Sequence, residues 1–362
     1  MHGKLSFDTT RLIVSLLLVD SWTAAVQSAC PITRTDNIQF VMPCDSSLFQ
    51  AKSASQWIDL LDQGHQICMP TMRLSSRHAT FPVISKSVDV ISVYGVLFTI
   101  RLRISENCSR LLAGSKSRTA DQSFVPWRTF EGNSEAKLTS SLVVSVVKSY
   151  GDMLGLMNPN CMVLWHNMCI MLTADLRMFE IGAGCAGAIA GRKALENIAT
   201  WTQTTAARRA ILHAAQTFKL MSNRRASDGD PFHSSHSLFL SALVLSLYVF
   251  MVPGQESDRA TSSFELLDDV NWIRVGSEGL SQNSSFADDP VTEFIRNGGS
   301  ISLAGVVHHG GYQSARRILL DFAQLLEDVG RWRVGRYTRV LRIMSDALVD
   351  EDITNVLEAM EE

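Results

Sequence analysis

The stretch SARRILLDFAQLLEDVG, Ser314–Gly330, decides how this chain folds. Ala315, Ile318, Leu319, Phe322, Leu325, Leu326 and Val329 recur at i, i+3, i+4 and i+7, the spacing of a helix that buries one side, and the stripe stops at Gly330. Downstream, Tyr337, Val340, Leu341, Met344, Ala347 and Leu348 make a second stripe, and Ile353, Val356, Leu357 and Met360 a short terminal one. Upstream, Ala207, Ala210, Ile211, Ala214, Phe218 and Met221 predict an amphipathic helix with an alanine-rich face, and Arg208, Arg209, Gln216 and Lys219 fall elsewhere on its wheel. Arg224–Phe232 reads as a turn leading to the uncharged run Leu238–Val252. That run has 15 residues before Pro253, fewer than the ~20 that span a bilayer, and predicts a buried core helix.

The N-terminal part gives weaker signals of the same kind. Leu12–Val19 fits an amphipathic helix, and also the apolar segment of a secretory signal with small residues near Ala29. Asp8 and the long Val19–Ala29 stretch favour the helix. Ala29–Cys44 is extended between Pro31 and Pro43. Asp45 or Ser46 caps a following helix with Leu48, Phe49, Trp57, Leu60 and Leu61. Helix-like segments continue through Val88–Ile104, a polar break spans Gly114–Gly132, and Leu138–Met251 is the most regular block. Sustained strand–helix alternation and solenoid repeats are missing, so the expected fold class is all-α, a multi-helix domain with loop-rich breaks. The expected organisation is a main helical region at 1–252, a flexible linker at 253–289 with local order near Trp272, and C-terminal helices at 290–362 on the same domain.

Composition narrows the chemistry. A 46% hydrophobic fraction over 362 residues suffices for a core, and a net charge of -3 excludes a chain-wide basic field for nucleic acid. The seven cysteines are odd in number and scattered, which is not a disulfide framework. Their pairwise spacings also miss those of a zinc finger, and His233 with His236, or His308 with His309, lack nearby cysteines, so these histidines are expected as core or capping residues. Serine elbows of the Gly-x-Ser-x-Gly type are absent. Gly182, Gly184 and Gly187 match the spacing of a dinucleotide turn, yet Trp165–Phe179 before them has helical spacing and Thr204–Ala210 supplies no ribose-binding acid. A glycine-rich link between two helices is the preferred reading. Arg331, Arg333, Arg336, Arg339 and Arg342, interleaved with Trp332 and Tyr337, form a basic run suited to a partner or nucleic acid, or to a solvated helix face. The acidic amphipathic end from Asp350 to Glu362 could recruit coactivators or pair with that run.

Several long stretches resemble the regulatory region of fungal-specific transcription factors, the middle homology region. They are LWHNMCIMLTADLRMFEIGAG from Leu164, ALENIATWTQTTAARRAILHAAQTFKLMSNRR from Ala194, DPFHSSHSLFLSALVLSLYVF from Asp230, and Asp289–Leu348. Leu18–Trp22 followed by Leu48–Leu61 is similar to the family's helix, extended crossing and helix. The likeness is greatest to the part downstream of two-Cys, two-His zinc fingers. It implies a nuclear, non-enzymatic regulator of RNA polymerase II transcription, with the transcriptional machinery or co-regulators as partners, a homodimer as one assembly, and no membrane. The expectation is a truncated product or gene model that begins inside the regulatory region, so DNA binding and zinc belong to a missing upstream module. Catalytic, cofactor and metal residues are expected to be none. Two other readings stay open: a helical enzyme or a nucleotide or small-molecule binder using the Gly182–Gly187 link, and a secreted protein cleaved near Ala29 with glycans at Asn107 or Asn283.

Overall fold

A computed structural model of the 362-residue chain describes residues 2–27, 30–35, 37–65, 71–75, 79–80, 90–114, 134–229, 231–252, 263–280, 289–329 and 334–361. The fold is all-α, 74% helical with a few short strands. Described residues before Met162 form one compact unit, and those from Met162 onward form another.

In the first unit, α1 (His2–Gln27) packs on α4 (Val90–Gly114), which also meets α5 (Ser134–Met157). Val14, Leu17, Trp22 and Ala24 are the buried side of α1. The helix expected after Cys44 is two helices, α2 (Ser46–Gln50) and α3 (Ala54–Asp62). Each has its own N-cap: Asp45 accepts from Ser47 N, and Ser53 accepts from Gln56 N while Gln56 reaches back to Lys52 N. Those two bonds start a new helix at Ala54. Strands β1 (Asn37–Val41), β2 (Thr71–Ser75) and β3 (Ala79–Thr80) form a small antiparallel sheet, with only the extended run before Cys44 foreseen.

The second unit is organised by a helix buried nearly all round. Helix α6 (Pro159–Thr173) leads to α7 (Leu176–Gly182), α8 (Ala188–Thr202) and α9 (Thr205–Ser222). A 3-10 turn at Ala226–Asp228 then precedes α10 (Phe232–Met251). Helix α10 starts six residues before the apolar run read from sequence, because its serines and His233 are buried with it. By length and composition it could cross a membrane, but 83% of that window is buried, as expected of a core helix. Helices α7, α8, α9, α13 (Gly311–Val329) and α14 (Val334–Glu361) all contact it. Helix α14 is one helix where two were expected, with no glycine or proline after Leu348 to break it. Its side chains beyond Leu348, and the 115–133 part of the expected polar break, lie outside the described residues.

The span expected as a flexible linker contains folded structure. Strand β4 (Phe264–Glu265) pairs in parallel with β5 (Ile301–Leu303), which forms a hairpin with β6 (Val306–His308). The Glu265 carboxylate accepts from Leu267 N, Ala304 N and Gly305 N, tying the hairpin turn to β4. Helix α11 (Trp272–Val275) follows, and α12 (Pro290–Asn297) packs on α9. Residues 253–262 and 281–288 of the span lie outside the described residues.

Helix α9 packs on α10, and its Ala207, Ala210 and Ala214 are fully buried. Replacing Ala210 with Leu inserts three carbons at a fully buried position. The expected loss is about 1–3 kcal/mol. Urea denaturation should show a lower midpoint with an unchanged slope; an unshifted midpoint would mean the two helices are loosely packed.

Candidate functional site

The densest chemistry lies in the second unit, where α6, α9 and α11 bring together Trp165, His166, Cys169, Arg209, His213 and Trp272. Helical spacing explains the grouping. His166 and Cys169 are three apart on α6, and Arg209 and His213 four apart on α9, so each pair shares a face. His213 stacks on Trp272 with centroids 4.0 Å apart and planes inclined by 14°. Trp165 meets His166, His213 and Trp272 edge-on.

The hydrogen bonds fix the protons. Arg209 Nε donates to His213 Nε2 at 3.2 Å, and a guanidinium has only donors, so the His213 proton sits on Nδ1. That nitrogen is 2.8 Å from His166 Nδ1, which therefore accepts and leaves the His166 proton on Nε2. Arg209 Nη1 donates to the carbonyls of Gly276, at 3.0 Å, and Glu278, and the guanidinium also meets the Cys169 thiol. The backbone comes this close because residue 279 is glycine. A Cβ there would sit 3.0 Å from Arg209 Cβ and from Thr205 O, and φ is +73°.

Burial governs the charges. It drives His166 down to about 3 and His213 well below the usual imidazole value, with the positive Arg209 adding to both effects. Burial pushes the Cys169 thiol up to about 12, and lowers Arg209 itself only to about 10. At neutral pH the node thus has one cation, two neutral imidazoles turned toward each other, and a protonated thiol. The reactive thiolate is suppressed, and both Nδ1 atoms are occupied by one hydrogen bond. Groups of three or more residues able to hold a metal ion are absent among the described residues. This arrangement is a structural lock.

Around the lock, the polar face of α9 is committed to backbone, a role that its place on the helical wheel does not show. Gln216 Nε2 donates to the carbonyls of Leu266 and Asp268, and Lys219 Nζ to that of Leu267. Arg208 donates to Ile295 O and Arg296 O, the last carbonyls of α12, where a cation is favoured by the helix dipole.

A comparable device holds the first unit. Arg101 and Arg103 on α4 are 2% and 0% exposed. Arg101 lies over the Trp22 ring at 4.0 Å and donates to Ser21 O, while burial lowers it to about 9. Arg103 donates to Thr35 Oγ1 at 2.8 Å, and Thr35 N and Oγ1 donate to Glu106 Oε2. Sequence reasoning read this run only as helix-like. The signal was two arginines and a glutamate inside an apolar segment.

The Gly182–Gly187 link joins α7 to α8, with Gly184 and Gly187 at φ +95° and +87°. A helix precedes it where a dinucleotide turn needs a strand. Beside it lies a cleft of about 230 Å³ between α8, α10, α13 and α14, lined by Gly182, Leu195, Leu247, Leu319 and Met344 among others.

Protein-family models, curated proteins and solved structures give no match to this chain.

The remaining sequence candidates are dispersed. Arg336 and Arg339 are exposed on α14, and Arg342 is paired with Glu327 at 2.9 Å. Arg331 and Arg333 lie outside the described residues. His233 and His308 are buried, and His236 packs near Tyr337. Six cysteines are free, and Cys68 lies outside the described residues.

The lock predicts a pH dependence. The folded-state values of His166 and His213 are depressed, so the unfolded chain takes up protons that the folded chain refuses. Stability is whole above pH ~6.5 and is lost as pH falls from there toward about 3. Asp175, raised by burial to about 6, opposes this because its folded form takes up a proton first. Replacing His166 with Gln isolates one imidazole. The stability gap between wild type and variant should narrow as pH falls below 6.5, by an amount approaching about 1.4 kcal/mol per pH unit near pH 5. Urea titrations at several pH values check this, and a constant gap would place His166 in water.

Proposed function

We propose that this chain is a non-enzymatic regulatory module of a nuclear transcription regulator, of the fungal kind its sequence resembles, acting on RNA polymerase II transcription through contacts with co-regulators. The supporting observation is that the separate stretches carrying the resemblance pack on one another. Helix α10, from the stretch at Asp230, lies against α9 from the stretch at Ala194, and against α13 and α14 from Asp289–Leu348. A module defined by those stretches would behave in this way.

Burial holds the histidines and thiol of the lock in unreactive states, so the proposal rests on surfaces and not on this node. Arg336 and Arg339 offer an exposed basic edge for an acidic partner. DNA binding and zinc are left to a separate module of the kind the family carries.

The test is a reporter assay with the full chain fused to an unrelated DNA-binding domain. A severalfold change in reporter transcription over that domain alone is expected, with nuclear localisation of the tagged chain and loss of the effect in Arg336→Glu/Arg339→Glu. Unchanged transcription together with exclusion from the nucleus would overturn the proposal.

A further inference from the structure

The cleft beside the Gly182 link has a chemistry the regulatory reading does not use. Small residues keep it open. A Cβ at position 182 would come within 3.2 Å of Ile198 Cδ1 and 3.5 Å of Leu195 and Leu247, and Ala183, Ala315 and Ala347 also line it. Among the described residues that line it, none is charged. The one polar side chain among those described residues, Ser246, directs its hydroxyl to Leu243 O within α10. Ile343 on the α14 wall is 57% exposed, although its neighbours Leu341 and Ser345 are buried.

These features select the occupant. A peptide would bring backbone N–H and C=O groups into a lining with almost nothing to bond them, at a cost for each. A charged ligand would lose its hydration with no opposite charge to meet. A neutral hydrocarbon-like molecule gives up neither backbone hydrogen bonds nor charge hydration on entry and covers Ile343 and Met344. An apolar cavity of about 150 Å³ holds benzene, so by proportion 230 Å³ holds roughly nine or ten heavy atoms.

We propose that the cleft between α8, α10, α13 and α14 is a binding site for a neutral, apolar small molecule of that size, which braces α14 against α10 and α13. The proposal stands independently of the transcriptional reading, because its test reads binding alone.

Octan-1-ol and octanoate have the same chain length and differ in charge, which makes them suitable probes for the full-length protein. Octan-1-ol should raise Tm by a few degrees in a saturable manner and shift the Met344 methyl resonance, whereas octanoate should do neither. In Ala347→Trp, whose indole fills the cleft from an exposed position, both octan-1-ol effects should vanish while cooperative melting remains. Absence of both effects in the wild type would overturn the proposal. So would an equal response to octanoate, or a response that survives in Ala347→Trp. If that variant folds poorly, the Met344 shift in the wild type decides the matter without it.

Discussion

The second unit depends on how one buried cation is satisfied. Arg209 is 1% exposed, can only donate, and stays protonated even after burial has lowered its pKa to about 10. Removing such a charge from water is costly unless each donor finds an acceptor. The acceptors come from three places in the chain: His213 Nε2 one helical turn away, the Cys169 thiol on α6, and the carbonyls of Gly276 and Glu278. Supplying those carbonyls requires residues 276–279 to lie against α9. Gly279 permits that approach, and Trp272 stacks on His213 beside it. One guanidinium thereby specifies the position of a segment about 70 residues downstream.

The same requirement fixes what the site can do. A catalytic base needs a pKa near the working pH and an open path to substrate. The two imidazoles are enclosed by tryptophans and held neutral by burial and by the neighbouring positive charge. The chemistry of the node goes into holding the fold together. Among the described residues, the cleft beside Gly182 is apolar, and α14 carries the exposed Arg336 and Arg339.

Much of the fold was legible because apolar periodicity carries it. The stripe ending at Val329 is α13, and the alanine face of α9 is buried as read. The glycine link between two helices also appears where expected. The lock was not legible. Its members lie 47 residues apart between His166 and His213, and more than 50 again to Trp272, and no local pattern joins them. Its anchor sits in a Ser-, Asp- and Gly-rich stretch whose composition resembles a linker. Backbone carbonyls do the binding there, and every residue type carries one. The roles of Arg209 and Gln216 were hidden for a related reason, since a helical wheel puts them off the apolar face and cannot register a second layer of protein over the polar one.

Native-state hydrogen exchange tests this account most directly. If the Arg209 lock joins residues 272–280 to the helical core, the amides of Val275, Gly276 and Leu280 should open with the same free energy, and the same urea dependence, as the central amides of α9 and α10. Exchange of those three amides with little protection and no urea dependence, while the helices remain protected, would contradict it.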